Sequence, residues 1–189
     1  MQRYDTPGGN NRPRPCTTRP RVGISRCLLG DEVRYDGTHK RQTALLNDLS
    51  GQVEWIPVCP EVEVGMGTPR EPIQLVGLAA VKLVGVDSGR DWTDAMSAWA
   101  QLRVRALQEL DLSGFILKAR SPSCGVRDVP IAGAPSGRGI FAAALLDAFP
   151  DLPIADEDDL HTDPARSDFL ARVRRHRQSL PLSSRSTSD

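Results

Sequence analysis

Four cysteines are the most chemically informative residues of this 189-residue sequence, and three of them follow one pattern. Cys27 (SRCLLG) and Cys59 (PVCPE) each end a short apolar segment, and Cys124 (SPSCG) follows the apolar segment FILKA by five residues. Proline or glycine lies close to each cysteine, which indicates tight loops, where functional residues are concentrated. Cys16 lies in a polar N-terminal segment, and we assign it no role.

Thiols in this arrangement favour a soft metal centre. One cysteine alone is most often a packing residue. Three at strand ends are different, because the carboxyl ends of parallel strands form the binding edge of an open α/β sheet. No Cys-x-x-Cys pair typical of structural zinc is present, and the three histidines have no shared spacing. Three soft thiolates suit a [4Fe–4S] cluster with one iron open to a sulfur atom of a substrate.

The elements that must position these residues alternate between strands and helices. Apolar runs predict strands, and apolar steps of three and four predict helices. The predicted strands are Val22–Leu28, Val53–Cys59, a hairpin of Leu75–Leu78 and Ala80–Val86, Phe115–Ala119 and Leu152–Ala155. The predicted helices are Gln42–Leu49, a long helix capped by Thr93 and extending to Leu110, Gly139–Phe149 and Pro164–Arg175. This order predicts a layered, Rossmann-like α/β fold, with a mostly parallel sheet and helices on both faces.

The sequence divides into one domain and two polar ends. Residues 1–20 contain four prolines and no Val, Ile, Leu or Phe, so we expect a disordered basic arm. Residues 21–177 form the predicted α/β domain, and residues 178–189 a flexible tail. The arm could contact RNA, but we favour a solvated tail over a nucleic-acid partner.

Composition excludes several classes of protein. The 24 basic and 24 acidic residues balance, so no overall basic field favours a nucleic-acid backbone. No apolar run is long enough for a transmembrane helix, and no apolar leader is apparent. Four cysteines are too few for a disulfide scaffold, so we expect a cytoplasmic protein with reduced thiols. The sequence contains no signal for its oligomeric state.

Three long motifs are specific enough to compare with known families: ISRCLLG followed by VRYDG, PVCPEVEVGMGTPREPIQLV, and GFILKARSPSCG. Together with the later segment GRGIFAAALLDAFPDLPIADEDDL, they resemble the thiouracil desulfurase family. The resemblance extends from about Val22 to Leu160 and covers nearly the whole predicted core. The N-terminal arm with Cys16 lies outside it.

The resemblance implies an enzyme that removes sulfur from 2-thiouracil or a related thionucleobase or thionucleoside, giving the oxo base and hydrogen sulfide. It implies an oxygen-labile [4Fe–4S] cluster bound through Cys27, Cys59 and Cys124, with one open iron. Glu61 of the Cys-Pro-Glu motif matches the family's acid–base residue, and Ser121 matches its functional serine. From the residues alone, Glu61 could instead cap a helix or pair with an arginine, and Ser121 could simply shape a turn.

Four further residues beside the motifs are candidates for substrate binding. Arg26 and Lys118 could neutralise the thiolates or hold a carbonyl or phosphate group of the substrate. Tyr35 could stack on a pyrimidine or form part of the rim. Ser123 could hydrogen-bond the base or support its own turn.

Charged residues outside this set receive an ordinary interpretation. Arg70 and Arg120 also border the motifs, but we interpret them as surface charges or as ion-pair partners of Asp36, Glu71 or Asp87. The acidic run 156–159 predicts a solvated helix start, because acidic side chains favour that end of a helix.

Two other functions remain open on the residues alone. A cluster-free sulfur carrier would hold a persulfide on one cysteine of low pKa. A non-enzymatic nucleotide-binding module could use the same α/β scaffold. The carrier needs only one essential thiol, and ligand binding by the module would survive the loss of all three.

Overall fold

The computed structural model describes residues 19–77 and 80–180, which fold into two small sheets and their helices. In chain order the elements are β1 (Arg21–Ser25), α1 (Arg26–Leu29), α2 (Thr43–Leu49), β2 (Glu54–Val58), α3 (Pro60–Glu63), β3 (Ile73–Val76), β4 (Lys82–Gly85), α4 (Thr93–Gln108), β5 (Leu112–Leu117), β6 (Val129–Ala132), β7 (Ala134–Gly137), α5 (Ile140–Ala148), β8 (Ile154–Asp156), a 3-10 helix (Glu157–Leu160) and α6 (Asp163–Ser179).

The first sheet is parallel throughout and has the strand order β2-β1-β5-β8. All six residues of β5 are buried, because this central strand is covered on both faces. Ile116 packs into the core beside α2 and α6, whereas Phe115 and Leu117 pack into the core beside α4 and α5. The alternation confirms the predicted α/β class, with helices on both faces of a parallel sheet.

The second sheet is mixed and has the strand order β4-β3-β6-β7. The predicted hairpin is confirmed, since β3 and β4 pair antiparallel, from Ile73 opposite Gly85 to Val76 opposite Lys82. Strand β6 lies parallel to β3, and β7 returns antiparallel to β6. These last two strands (VPIA and APSG) were not predicted, because both contain proline, which is rare inside strands.

Several predicted boundaries are wrong. Strand β1 ends at Ser25, so Cys27 lies in α1 rather than at the end of a strand. Thr93 is the first residue of α4 rather than its cap, and its hydroxyl accepts a 2.9 Å hydrogen bond from the backbone of Leu83. The acidic run forms a capped 3-10 helix, but Glu157 is buried rather than solvated.

The predicted terminal segments lie largely outside the described residues. Of the expected N-terminal arm, residues 1–18 with Cys16 are not described. Helix α6 continues to Ser179, so the predicted C-terminal tail begins as helix, and residues 181–189 are not described. Within residues 19–77 and 80–180, no helix has the length and apolar character needed to span a bilayer.

Candidate active site

A cavity of about 340 Å³ lies at the carboxyl end of the parallel sheet. Its wall comes from the segments that follow β1, β2 and β5, together with the loop before α2 and the start of β3. Among the described residues that line it, six are cationic (Arg26, Arg34, Lys40, Arg70, Lys118 and Arg120) and one, Glu61, is acidic. The cavity therefore favours anionic or electron-rich groups.

All three core cysteines line this cavity. Cys27 lies in α1, Cys59 directly follows β2, and Cys124 lies in the turn after β5. Each is a buried free thiol, between 4 and 9% exposed. Three segments distant in sequence therefore bring three thiols to one place.

Burial disfavours the thiolate form at all three positions. It raises the pKa of Cys27 to about 12, assisted by the negative charge that Cys59 would have. It also raises the pKa of Cys59 and, well above its usual value, that of Cys124. The charges of Lys118 on Cys27, and of Arg70 and Arg26 on Cys59, oppose these shifts. Anionic sulfur at these positions therefore needs a positive partner such as a metal centre.

Cys59 is held in place by the helix that it precedes. It is the N-cap residue of α3, and Pro60 occupies the first helical position, where its fixed φ and missing N–H are tolerated. The Glu63 carboxylate accepts a 2.9 Å hydrogen bond from the backbone N–H of Cys59 and pairs with Arg103 of α4 at 3.3 Å. These contacts anchor the Cys59 backbone to α4.

The turn that contains Cys124 is shaped by Ser121. The Ser121 hydroxyl accepts hydrogen bonds from the backbone N–H groups of Ser123 and Cys124, at 3.3 and 3.2 Å. Gly139 packs against this turn so closely that an added Cβ would lie 2.5 Å from the Ser123 carbonyl. The geometry gives Ser121 a turn-shaping contact and also places it in the cavity wall.

Glu61 lies in the cavity wall between two side-chain partners. One carboxylate oxygen accepts a 2.8 Å hydrogen bond from the Ser123 hydroxyl, and the other pairs with Arg70. Ser121 lies farther away, at 3.5 Å. Ser123, predicted to bind the substrate, is fully buried and absent from the cavity lining, and its hydroxyl contacts Glu61.

Lys118 reaches the cavity beside Cys27. Its ammonium pairs with Glu157 and donates to the carbonyl of Ala119 at 3.0 Å, while Glu157 accepts a 2.5 Å hydrogen bond from the Ala119 N–H. Glu157 is 5% exposed. A buried carboxylate therefore fixes one of the predicted substrate-binding cations.

The remaining predicted residues lie nearer the mouth. Arg26 pairs with Asp31 at 2.7 Å and lines the cavity. Tyr35 lines it too and is 41% exposed, with the Arg34 guanidinium 5.4 Å from the centre of its ring. Arg120 pairs with Asp158 at the surface.

Three residues at the cavity were not predicted from the sequence. Arg70 was interpreted as a surface charge or an ion-pair partner of Asp36, Glu71 or Asp87, but its side chain is buried and pairs with Glu61. Ser25 lines the cavity and accepts a 3.0 Å hydrogen bond from the Lys118 backbone N–H. Glu157 belongs to the acidic run 156–159, which was interpreted as a solvated helix start. Arg70 had one available signal, since it lies in the same motif as Glu61.

In the part of the chain that the structure describes, no group of three or more His, Cys, Asp or Glu side chains is arranged to hold a single metal ion. A cluster is larger than an ion, and its cysteine ligands stand farther apart around it. Three soft thiols around one cavity fit that donor set.

Comparisons with known proteins agree with this geometry. The sequence profile of the 2-thiouracil desulfurase family matches residues 22–157. The chain belongs to this family. The resemblance inferred from the motifs is thereby confirmed, and the family assignment supports a desulfurase, an enzyme that acts on a carbon–sulfur bond.

Two relatives show how far the similarity extends. A solved structure entitled [4Fe-4S]-dependent thiouracil desulfidase TudS superimposes with a TM-score of 0.65 at 30% identity, covering 81% of this chain and 99% of that one. The uncharacterized protein YbbK of Bacillus subtilis (strain 168) is 32% identical over 135 residues, which are 66% of this chain and 89% of YbbK. The family match over residues 22–157 includes every described residue that lines the cavity.

Proposed function

We propose that this protein uses a [4Fe–4S] cluster to remove sulfur from a thiolated pyrimidine, such as 2-thiouracil or its nucleoside, releasing the oxo base and hydrogen sulfide. The observation that carries the proposal is the meeting of Cys27, Cys59 and Cys124 with Glu61 at one cavity. The solved relative, named as a [4Fe-4S]-dependent thiouracil desulfidase, supports it.

Cys27, Cys59 and Cys124 would hold the cluster. Their burial shields the thiols from bulk solvent, and the cationic lining compensates the charge of three thiolates. When bound, such a cluster supplies a Lewis acid at the iron that lacks a protein ligand, where a thiocarbonyl sulfur is a suitable soft partner.

The reaction requires one water molecule for each sulfur released. The water oxygen becomes the new carbonyl oxygen, the C–S bond breaks, and both water protons leave with sulfur as hydrogen sulfide. Glu61 is placed to take a proton from the attacking water and to return it to the departing sulfur or the ring. It is the only acidic side chain among the described residues of the lining.

Cationic and polar groups around Glu61 would orient the substrate. Lys118, fixed by Glu157, and Arg26 can donate to a pyrimidine carbonyl. Ser121 can hydrogen-bond the base or the water, and Tyr35 can stack on the ring at the mouth. The pyrimidine ring would thus lie between the rim and the cysteines.

The two alternatives have less support. A persulfide carrier needs a thiol of lowered pKa, whereas burial raises the pKa of all three thiols. A non-enzymatic binding module does not explain why an acid–base residue and three thiols share one cavity.

Sulfide release tests the proposal. The protein, reconstituted anaerobically with iron and sulfide and then desalted, is expected to convert 2-thiouracil or 2-thiouridine to the oxo product with an equal amount of sulfide. Comparing the two substrates distinguishes a free base from a nucleoside. A fully loaded protein that releases sulfide from neither, nor from the 4-thio isomers, would overturn the proposal.

A further inference from the structure

The buried arginine beside Glu61 has a role that the family assignment does not state. We propose that Arg70 is a positioning residue, whose guanidinium sets the orientation of the Glu61 carboxylate in the cavity. The inference rests on the proposed function, in which Glu61 moves a proton.

Arg70 is fixed by contacts with three segments of the chain. Its Nη1 donates to the Gly67 carbonyl at 2.8 Å and to the Thr68 hydroxyl at 3.3 Å. Its Nη2 donates to the Val33 carbonyl at 3.0 Å and pairs with Glu61. Its backbone N–H donates to the Tyr35 carbonyl at 2.9 Å. The guanidinium is therefore held at both ends of its fork and cannot follow Glu61 if the carboxylate rotates.

The contacts of Glu61 are divided between two anchors. Arg70 pairs with Oε2, and the Ser123 hydroxyl donates to Oε1 at 2.8 Å. Anchors on opposite oxygens determine the plane of a carboxylate as well as its place. A proton acceptor held in this way needs no reorganisation when water attacks.

The guanidinium is placed so that its two terminal nitrogens reach their acceptors, while its Nε has none among the described residues. The Arg70 side chain is only 5% exposed, and its Nε is buried without an acceptor in the described part of the chain. A buried donor without a partner costs stability, so this arrangement does not satisfy all the hydrogen-bond donors of Arg70. It is the one that presents Nη2 to Glu61 and Val33.

Lysine cannot reproduce this arrangement. Its ammonium is a point charge, whereas the guanidinium is a planar fork that reaches acceptors in fixed directions. Arg70→Lys therefore keeps the charge beside Cys59 and Glu61 but releases the orientation of Glu61. Arg166→Lys is the matched control, because the Arg166 side chain is also buried, at 6% exposed, also pairs with carboxylates, those of Asp48 and Asp163, and lies outside the cavity lining.

The test uses the full-length chain, reconstituted anaerobically, and follows sulfide release from 2-thiouracil. We expect Arg70→Lys to retain its iron and sulfide content and its thermal unfolding transition, and to lose kcat by about tenfold or more with KM changed less than about threefold. Arg166→Lys is expected to stay within about twofold of the wild type in both constants. In a Glu61→Gln background, Arg70→Lys should have little additional effect on kcat, since coupled residues are not additive.

Each contrary outcome has one meaning. A raised KM with unchanged kcat would place Arg70 on the substrate and overturn the positioning role. Loss of the cluster or of folding in Arg70→Lys, or an additive effect in the Glu61→Gln background, would make Arg70 structural and overturn it too. An active wild type with an equally active Arg70→Lys overturns this inference alone, whereas an inactive loaded wild type overturns the proposed function and the inference with it.

Discussion

The hydroxyl of Ser123 donates a 2.8 Å hydrogen bond to Glu61, a residue 62 positions earlier in the sequence. The two residues come from the segments after β5 and β2, strands that flank β1 on either side. Ser123 is fully buried behind the cavity wall. The contact therefore connects the turn that contains Cys124 to the segment that contains Cys59. It also holds the carboxylate of Glu61, the proposed acid–base residue.

Ser123→Ala is expected to lower kcat with the cluster intact. Hydrogen bonds to charged groups contribute about 1.5–3 kcal/mol, and about 1.4 kcal/mol in the barrier corresponds to tenfold in rate. The control is Ser113→Ala, which removes another fully buried serine whose hydroxyl has no partner among the described residues. Equal activity of the two variants in the sulfide-release assay would show that Ser123 does not support Glu61.

Replacing any one of Cys27, Cys59 and Cys124 by serine is expected to abolish both the bound iron and sulfide release. The thiolates are the expected ligands, and a hydroxyl is a much harder donor. Iron and acid-labile sulfide per protein, measured after anaerobic reconstitution, check the first effect. Cys16→Ser is the control and should match the wild type; comparable damage there would mean that the ligand set is wrong.

Glu157→Gln is expected to destabilise the fold by about 3 kcal/mol, because breaking a buried pair leaves an uncompensated charge. The charge left behind is that of Lys118, whose side chain is 21% exposed while that of Glu157 is 5% exposed. Asp168→Asn breaks the exposed pair with Arg172 on α6 and should cost less than about 1 kcal/mol. Urea unfolding of both variants measures the difference, and similar losses would contradict the buried role of Glu157.

The pH dependence of stability has a definite sign at Asp91. Hydrogen bonds from Thr93, first from its hydroxyl and then from its backbone N–H, together with Lys82, lower the pKa of Asp91 from 3.8 to about 2. A carboxylate with a depressed pKa in the folded state stabilises the fold above its unfolded pKa, and this contribution disappears as the pH falls through the folded value. The stability gap between wild type and Asp91→Asn should therefore be largest above pH 3.8 and shrink towards pH 2. Urea midpoints at several pH values measure the gap, and a constant gap would contradict the assignment.

The sequence alone determined the parts that depend on local pattern. Alternating apolar runs and helical spacing predicted β2, α2, α4, β5, α5 and α6, because each of these segments has a periodicity that matches its element. Long motifs around the three cysteines identified the family, and Glu61 and Ser121 were named from their places in those motifs. Local periodicity could not predict β6 and β7, since their proline-containing segments become strands only by pairing with β3 and with each other.

Tertiary structure decided which side chains support the site. Arg70 and Ser123 meet at Glu61, and Glu157 meets Lys118, only because the segments after β2 and β5 and the second sheet pack around one cavity. No spacing in the sequence distinguishes Arg70 from a surface charge, or Glu157 from a solvated acid, because burial and ion pairing depend on distances between segments far apart in the chain. Candidate residue types could therefore be named from the sequence, whereas the contacts between them depended on tertiary packing.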